Sequence, residues 1–223
     1  MIISNVEQMS PEWSKEKAGL PSASGFGKIL SPTGLPSKQS VAYMRRLAGE
    51  LILGTKVESY QSSAMERGIF MEAEARMYYE FINGVDVQEV GIVYKDELKD
   101  RSCSPDGLVG EDGGLEIKCP ELHTHVEYLL SNKVPTTYIP QIQGSLYITG
   151  RKWWDFLSYY PRMKPLIIRT FPDEFYQAKL KRELDMFVVN LKDVVRQLQS
   201  LGDGKVNEAP KPEPIQPEGE ILD

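Results

Sequence analysis

The chain is 223 residues long, 41% hydrophobic and of net charge −6, which is enough apolar material for one large buried core. No apolar run reaches the ~18 residues of a membrane helix, and "MIISNVEQMSPEW" lacks a basic n-region and an h-region, so a soluble, unexported, cytoplasmic protein is expected. Cys103 and Cys119 are the only cysteines, with no C-x-x-C pair or Cys/His cluster, which argues against a disulfide framework or a zinc site. The acidity is uneven: residues 201–223 carry six acids against two lysines, so −2 is left for the body. A local basic groove, and so a polyanionic partner, is compatible with that total.

Taken in chain order, helical periodicity predicts α-helices over 41–54 and 65–81, the second stopped by Asn83-Gly84. The period then changes. "VDVQEVGIVY", "GLEIKC", "KWWDFLSYY" and "PLIIRTF" are short, β-branched and aromatic, and are separated by turn signals such as Glu111-Asp112-Gly113-Gly114. Leu180, Leu184, Phe187, Val188, Leu191, Val195 and Leu198 recur at helical spacing and predict a long closing helix whose stripe is core. The tail "EAPKPEPIQPEGEILD" has four prolines and little to bury, and reads as disordered or polyproline-like. The expectation is an α/β (α+β) protein, a central mixed sheet flanked by helices, with one domain over 1–200 and a tail over 201–223.

The stretch "SPDGLVGEDGGLEIKCP" holds the chemistry. Alternation along "LEIKC" places Glu116 and Lys118 on one face of a strand, with Leu115, Ile117 and Cys119 on the other. Asp106 precedes Glu116 with nine residues between, across a glycine-rich turn that can bring the chain back antiparallel. Two carboxylates beside an amine suit a hard divalent cation such as Mg²⁺ or Mn²⁺, which binds through one or two acids plus substrate phosphate. A cation there lowers the pKa of a water and offsets charge on phosphorus, and the lysine can orient that water or assist its deprotonation; this is the chemistry of phosphodiester hydrolysis. Strands also carry such residues as plain cross-strand ion pairs.

Two further stretches bear on the choice. In "MERGIFMEAEARMYYEF" Glu72 follows Gly68 by one helical turn and can point to a metal, although Glu66, Glu72, Glu74 and Glu80 also read as the wet face of a surface helix. In "YIPQIQGSLYITG" Gln141 and Gln143 interrupt an apolar run. Buried glutamines need partners, which near such a site are phosphate oxygens or an attacking water, and elsewhere the backbone.

Together "CSPDGL", "GLEIKCP", "GIFME" and "YIPQIQ", in this order and spacing, resemble the phage lambda exonuclease family, a viral recombination branch of the PD-(D/E)xK nucleases. The similarity also takes in "WSKEKAGLPSAS" and "YYPRM", covering roughly residues 12 to 200. The resemblance implies a restriction-endonuclease-like core. It implies that Asp106 and Glu116 ligate the catalytic metal with the carbonyl of Ile117, that Lys118 is the catalytic lysine, that Glu72 is the helix acid at the metal and that Gln141 lines the site. Ser24 and Ser104 match serines that meet the terminal phosphate, and Lys17 stands where the family has an arginine for the 5′-phosphate. Lysine is a point charge in place of a bidentate fork, so grip there is expected to be weaker or shared. If Lys17 has no such role, it pairs with Glu12 or Glu16 in solvent.

The implied activity is Mg²⁺-dependent degradation of one strand of linear double-stranded DNA from its 5′ end. Mononucleotides are released, and a 3′ single strand remains for an annealing recombination protein. The implied assembly is a homotrimeric ring, and the implied setting is a bacterial host cell, with a phage or prophage gene. A metal-dependent endonuclease of the same superfamily shares the triad but needs a base-reading element, which the sequence does not offer. A non-catalytic DNA-end-binding scaffold has no use for a full metal-lysine set.

Overall fold

The architecture is that of a computed structural model, which describes residues 1–57 and 63–201, the side chains of 63–69 excepted. The expectation for the tail lies outside the described residues, as does the side chain of Glu66.

The N-terminal strand β1 (Ile2–Ser4) is followed by the short helix α1 (Pro11–Glu16). Ser10 caps α1 by accepting from the Trp13 N–H at 3.1 Å. A 3₁₀ turn (Ala23–Lys28) leads to α2 (Ser40–Leu53) and α3 (Ser63–Asn83), close to the two predicted helices. The region read as one strand, "VDVQEVGIVY", divides into β2 (Val87–Gln88) and β3 (Ile92–Tyr94), which belong to different sheets. Gly91 lies at the division, where a Cβ would come 1.8 Å from the Val6 carbonyl oxygen, so only glycine lets the two segments cross.

Strands β4 (Ser102–Cys103), β5 (Gly107–Val109) and β6 (Gly113–Lys118) follow. Next come α4 (Leu122–Ser131), α5 (Ile139–Thr149), β7 (Trp153–Ser158), β8 (Leu166–Thr170) and α6 (Glu174–Ser200). The main sheet has the order β2-β5-β6-β7-β8. It is mixed: β6 runs parallel to β7 and the other pairs are antiparallel. A second, antiparallel sheet of order β1-β3-β4 was not foreseen. The predicted turn also shifts. Gly110, at φ 51°, makes the reversal, whereas Gly113 and Gly114 already belong to β6. They are glycine because a Cβ at either would strike the rings of Trp153 and Trp154 on β7 at 2.1 and 2.2 Å.

Two cores clamp the sheet. On one face Leu115, Ile117 and Leu157 pack against Met71, Ala75 and Tyr79 of α3. On the other, Leu108, Trp154 and Phe156 meet Ile142 and Leu146 of α5, Phe26, and beyond them α2 and α6. Full burial of each such side chain is worth about 1.5–3 kcal/mol. Asp173 caps α6 by accepting from the Tyr176 N–H at 2.9 Å, and of the predicted stripe Leu180, Leu184, Phe187, Val188 and Leu191 are buried, whereas Val195 is only half-buried and Leu198 is exposed, since the last turns of α6 run beyond the core. The sheet is therefore buried on both faces. Glu116 and Lys118 do face away from the Leu115–Ile117 layer, but the face they occupy is roofed by α5 and is not a wet one. No helix among the described residues is long and apolar enough to cross a membrane.

Candidate active site

Strand pairing does what the glycine-rich turn suggested. Gly107 pairs with Leu115, so Asp106, one residue before β5 begins, arrives beside Glu116 where β6 continues past the pairing. Asp106 itself bridges the gap: its Oδ2 accepts from the Ile117 N–H at 2.6 Å. In a strand the N–H and C=O of one residue leave on the same side, so the Ile117 carbonyl also emerges toward Asp106.

Glu116 is 1% exposed. Its Oε1 meets Lys118 Nζ at 2.6 Å and Gln141 Nε2, from α5, at 2.5 Å. Its Oε2 is buried without a hydrogen-bond partner in the described structure, a costly state for a carboxylate oxygen. Lys118 Nζ also lies over the Tyr138 ring, 5.3 Å from its centroid. On the α3 side Glu72 is half-buried and paired with Arg76 at 2.9 Å.

The electrostatics of this cluster are those of too many carboxylates. Burial, then the charge of Asp106, raises the Glu72 carboxyl to about 7. Burial, with Asp106 and Glu72 adding to it against the pull of Lys118, raises Glu116 to about 7. Burial raises Asp106 as well, opposed chiefly by Lys118. For Lys118 burial alone works downward, but Glu116 and Asp106 overcome it and hold the ammonium well above its usual range.

No three His, Cys, Asp or Glu side chains among the described residues form a preassembled metal cage. The donor set nonetheless suits a hard cation: an orphaned oxygen on Glu116, the Asp106 carboxylate, and a backbone carbonyl directed between them, with Glu72 nearby.

Lys17 is buried, and it is not paired with Glu12 or Glu16. Glu16 instead accepts from Ser4 Oγ and the Tyr94 hydroxyl. Lys17 Nζ donates to Ser104 Oγ at 3.0 Å and sits 4.3 Å from the Trp13 ring centroid. With Ser22 and Ser24 it lines a cavity of about 120 Å³. Burial, and next the charge of Lys56, lowers its pKa to about 8. Lys28, Arg46 and Lys56 line the same cavity; sequence reasoning missed all three because surface cations on separate segments carry no spacing signal. Beneath them the buried Glu50 carboxylate accepts from Gly19 N–H, Arg46 Nε and Val57 N–H at 3.1, 3.0 and 3.3 Å, tying the cavity's walls together.

Of the other candidates, Gln143 is a backbone-satisfied core residue. Its Nε2 donates to the Phe171 carbonyl and its Oε1 accepts from the Asp173 N–H, each at 2.9 Å. Glu74 accepts from the Tyr159 hydroxyl and Glu80 from the Val87 N–H, so among the described acids of α3 only Glu72 turns to the Asp106 side. Asp106, Glu116, Ile117, Lys118, Gln141 and Glu72 are thus brought together. Lys17, Ser104 and Ser24 form an adjoining group, joined to the first through the short Ser104-Pro105-Asp106 link between the two sheets.

A profile of the YqaJ-like viral recombinase domain matches residues 12–152. The chain belongs to this family. Its fold is also that of an alkaline exonuclease, LHK-Exo from Laribacter hongkongensis, at TM-score 0.77 and 31% identity over 85% of this chain and 96% of that one. The same enzyme in complex with dAMP matches equally. A phage-related exonuclease from Haemophilus somnus 129PT shares the fold, at TM-score 0.63 and 12% identity over 80% of this chain and 96% of that one. Among curated protein sequences none matches. The resemblance to lambda-exonuclease-type viral recombinases and the mixed α+β, PD-(D/E)xK-like core expected from the sequence are both borne out.

Proposed function

We propose that this chain is a divalent-metal-dependent exonuclease that degrades one strand of linear double-stranded DNA from its 5′ end to mononucleotides, leaving a 3′ single strand for an annealing protein. The observation that carries the reading is the convergence of Asp106, Glu116 and Lys118 at the open end of the β5–β6 pair, next to a cavity lined by four cations. Family membership and the exonuclease neighbours support it.

In this reading Asp106, Glu116, the Ile117 carbonyl and Glu72 hold Mg²⁺, for which Mn²⁺ can substitute. The ion, when bound, supplies positive charge against the phosphoryl oxygens and acidifies water. The protein's own groups do the placing. Lys118, kept as an ammonium by its two carboxylate neighbours, orients by donating, and Gln141 fixes the Glu116 carboxylate through Oε1. Lys17, with Ser24 and Ser104, receives the terminal 5′-phosphate, the other cavity cations sharing its charge. Carboxyls raised to about 7 make cation binding stronger above neutrality, in keeping with the alkaline exonuclease among its structural relatives. The resemblance further supports a homotrimer around the duplex and an annealing protein as partner.

Linear and covalently closed duplexes incubated with Mg²⁺ or EDTA test the reading. Digestion of the linear form alone, and only with metal, is expected. Cutting of closed circles would mark an endonuclease, and end binding without cleavage under any divalent ion would mark a scaffold.

A further inference from the structure

Arg76 has no part in the chemistry described above, yet its guanidinium contacts three separate pieces of the fold. It projects from α3 with its side chain only 12% exposed. Nη2 pairs with Glu72 Oε1 at 2.9 Å, one helical turn back. Nε donates to the backbone carbonyl of Asp106 at 3.2 Å. Nη1 meets Glu89 Oε1 at 2.6 Å, in the link between β2 and β3. A planar guanidinium presents donors along several edges at fixed angles, so one side chain sets three partners relative to one another; a lysine ammonium imposes no such plane.

The consequence falls on the two acids. Asp106 is gripped twice, at its carboxylate by the Ile117 N–H and at its carbonyl by Arg76. Glu72 would otherwise be free to rotate away from a like charge, since it and Asp106 repel. Arg76 therefore binds the helix acid and the turn acid to one rigid body. The outer arm, Glu89, is largely exposed at 70% and orients the fork from the solvent side of a cleft that Glu72, Arg76, Glu89 and Asp106 line together.

We propose that Arg76 is a positioning residue that holds Glu72 in register with Asp106, and that the affinity of the site for a divalent cation depends on its fork rather than on its charge. The inference rests on the metal-site reading above. Charge and geometry predict opposite signs. A cation acting only as charge weakens metal binding while present, so removing it tightens binding. A fork acting as a jig does the reverse, and groups that orient metal ligands cost about 10–100-fold in affinity when removed.

The test is Mn²⁺ binding to the full chain without DNA, by calorimetry, for wild type, Arg76→Lys, Arg76→Ala, Glu89→Asp and Asp106→Asn. Arg76→Lys, which keeps the charge and loses the fork, is expected to bind Mn²⁺ about tenfold more weakly. Arg76→Ala, which loses the fork and the charge together, is expected to bind more weakly than wild type as well, but by no more than Arg76→Lys, and Glu89→Asp, which keeps the carboxylate charge and withdraws the outer arm, to show a smaller loss of a few fold. Binding by Arg76→Lys as tight as or tighter than wild type overturns the inference. If the Arg76 variants do not fold, Glu89→Asp decides alone, because it changes the outer arm's reach and not its charge, and wild-type affinity in it overturns the inference. Failure of wild type to bind Mn²⁺, or full binding by Asp106→Asn, would instead remove the metal-site reading.

Discussion

Replacing Lys17 by methionine is expected to abolish most of the preference for 5′-phosphorylated over 5′-hydroxyl ends while leaving the fold intact. Methionine keeps an apolar stem over Trp13, where the lysine now lies, and removes only the charged donor that meets Ser104. A hydrogen bond to a charged group contributes about 1.5–3 kcal/mol, or roughly ten- to a hundredfold in rate. Because Lys28, Arg46 and Lys56 share the cavity, the loss should fall at the lower end, about tenfold in the ratio of kcat/KM for the two kinds of end. There is a pH signature as well. Burial and Lys56 bring the Lys17 pKa to about 8, so in wild type kcat/KM for phosphorylated ends declines as pH rises through about 8, while hydroxyl ends are spared that step. The assay is initial digestion of matched linear duplexes across pH 7 to 9.5. Equal slowing of both ends by Lys17→Met, or identical pH profiles for the two substrates, would refute a phosphate role for Lys17.

Three further outcomes are expected. Lys118→Ala should reduce cleavage by at least about a hundredfold while leaving Mg²⁺ and duplex binding in place, because loss of the ammonium frees Glu116 Oε1 rather than removing a ligand; retention of more than a tenth of the wild-type rate contradicts this. Asp106→Ala and Glu116→Ala should instead lose metal binding and cleavage together, which calorimetry and digestion read separately. For pH, the Glu72 and Glu116 carboxyls lie near 7 in the fold against 4.5 as the ordinary value, so the folded state binds more protons and their contribution to stability, present below about 4.5, is lost as pH rises through 7. The metal-free protein is thus strained at pH 8, and the rise in Tm produced by Mg²⁺ should be larger at pH 8 than at pH 6; an equal or opposite dependence refutes the charge balance described here.

How legible all this was depended on whether a residue's role is set locally. Alternation within β6 and the antiparallel return are local, and they brought Asp106, Glu116 and Lys118 together as read from the sequence. The stripe on α6 was equally plain, because a 27-residue helix with a buried face repeats its signal many times. Helix α5 was read only as an apolar run: its Gln143, Gly144 and Ser145 are buried with the rest, and a helix with no wet face has no amphipathic period to detect. The split of "VDVQEVGIVY" could not be foreseen, since it depends on Gly91 meeting Val6 from a distant segment. Gln141 and Gln143 look alike in sequence, and only their packing sends one to Glu116 and the other to the chain turn at Phe171 and Asp173. Arg46, Lys28, Lys56 and Glu50 were missed although they stand close in the chain: by spacing Arg46 and Glu50 are an ordinary i, i+4 helix pair, and only the packing of residues 17–56 turns them onto one cavity with Lys28 and Lys56.

The central claim is directional hydrolysis from a 5′ end under metal control, and a linear duplex labelled on one strand tests it most directly. With Mg²⁺, label at the 5′ terminus should appear at once as mononucleotide, whereas label at the 3′ terminus of the same strand should persist until the strand is nearly consumed; EDTA should stop both. Early release of the 3′ label, or release of neither label while internal cuts accumulate, would contradict the account.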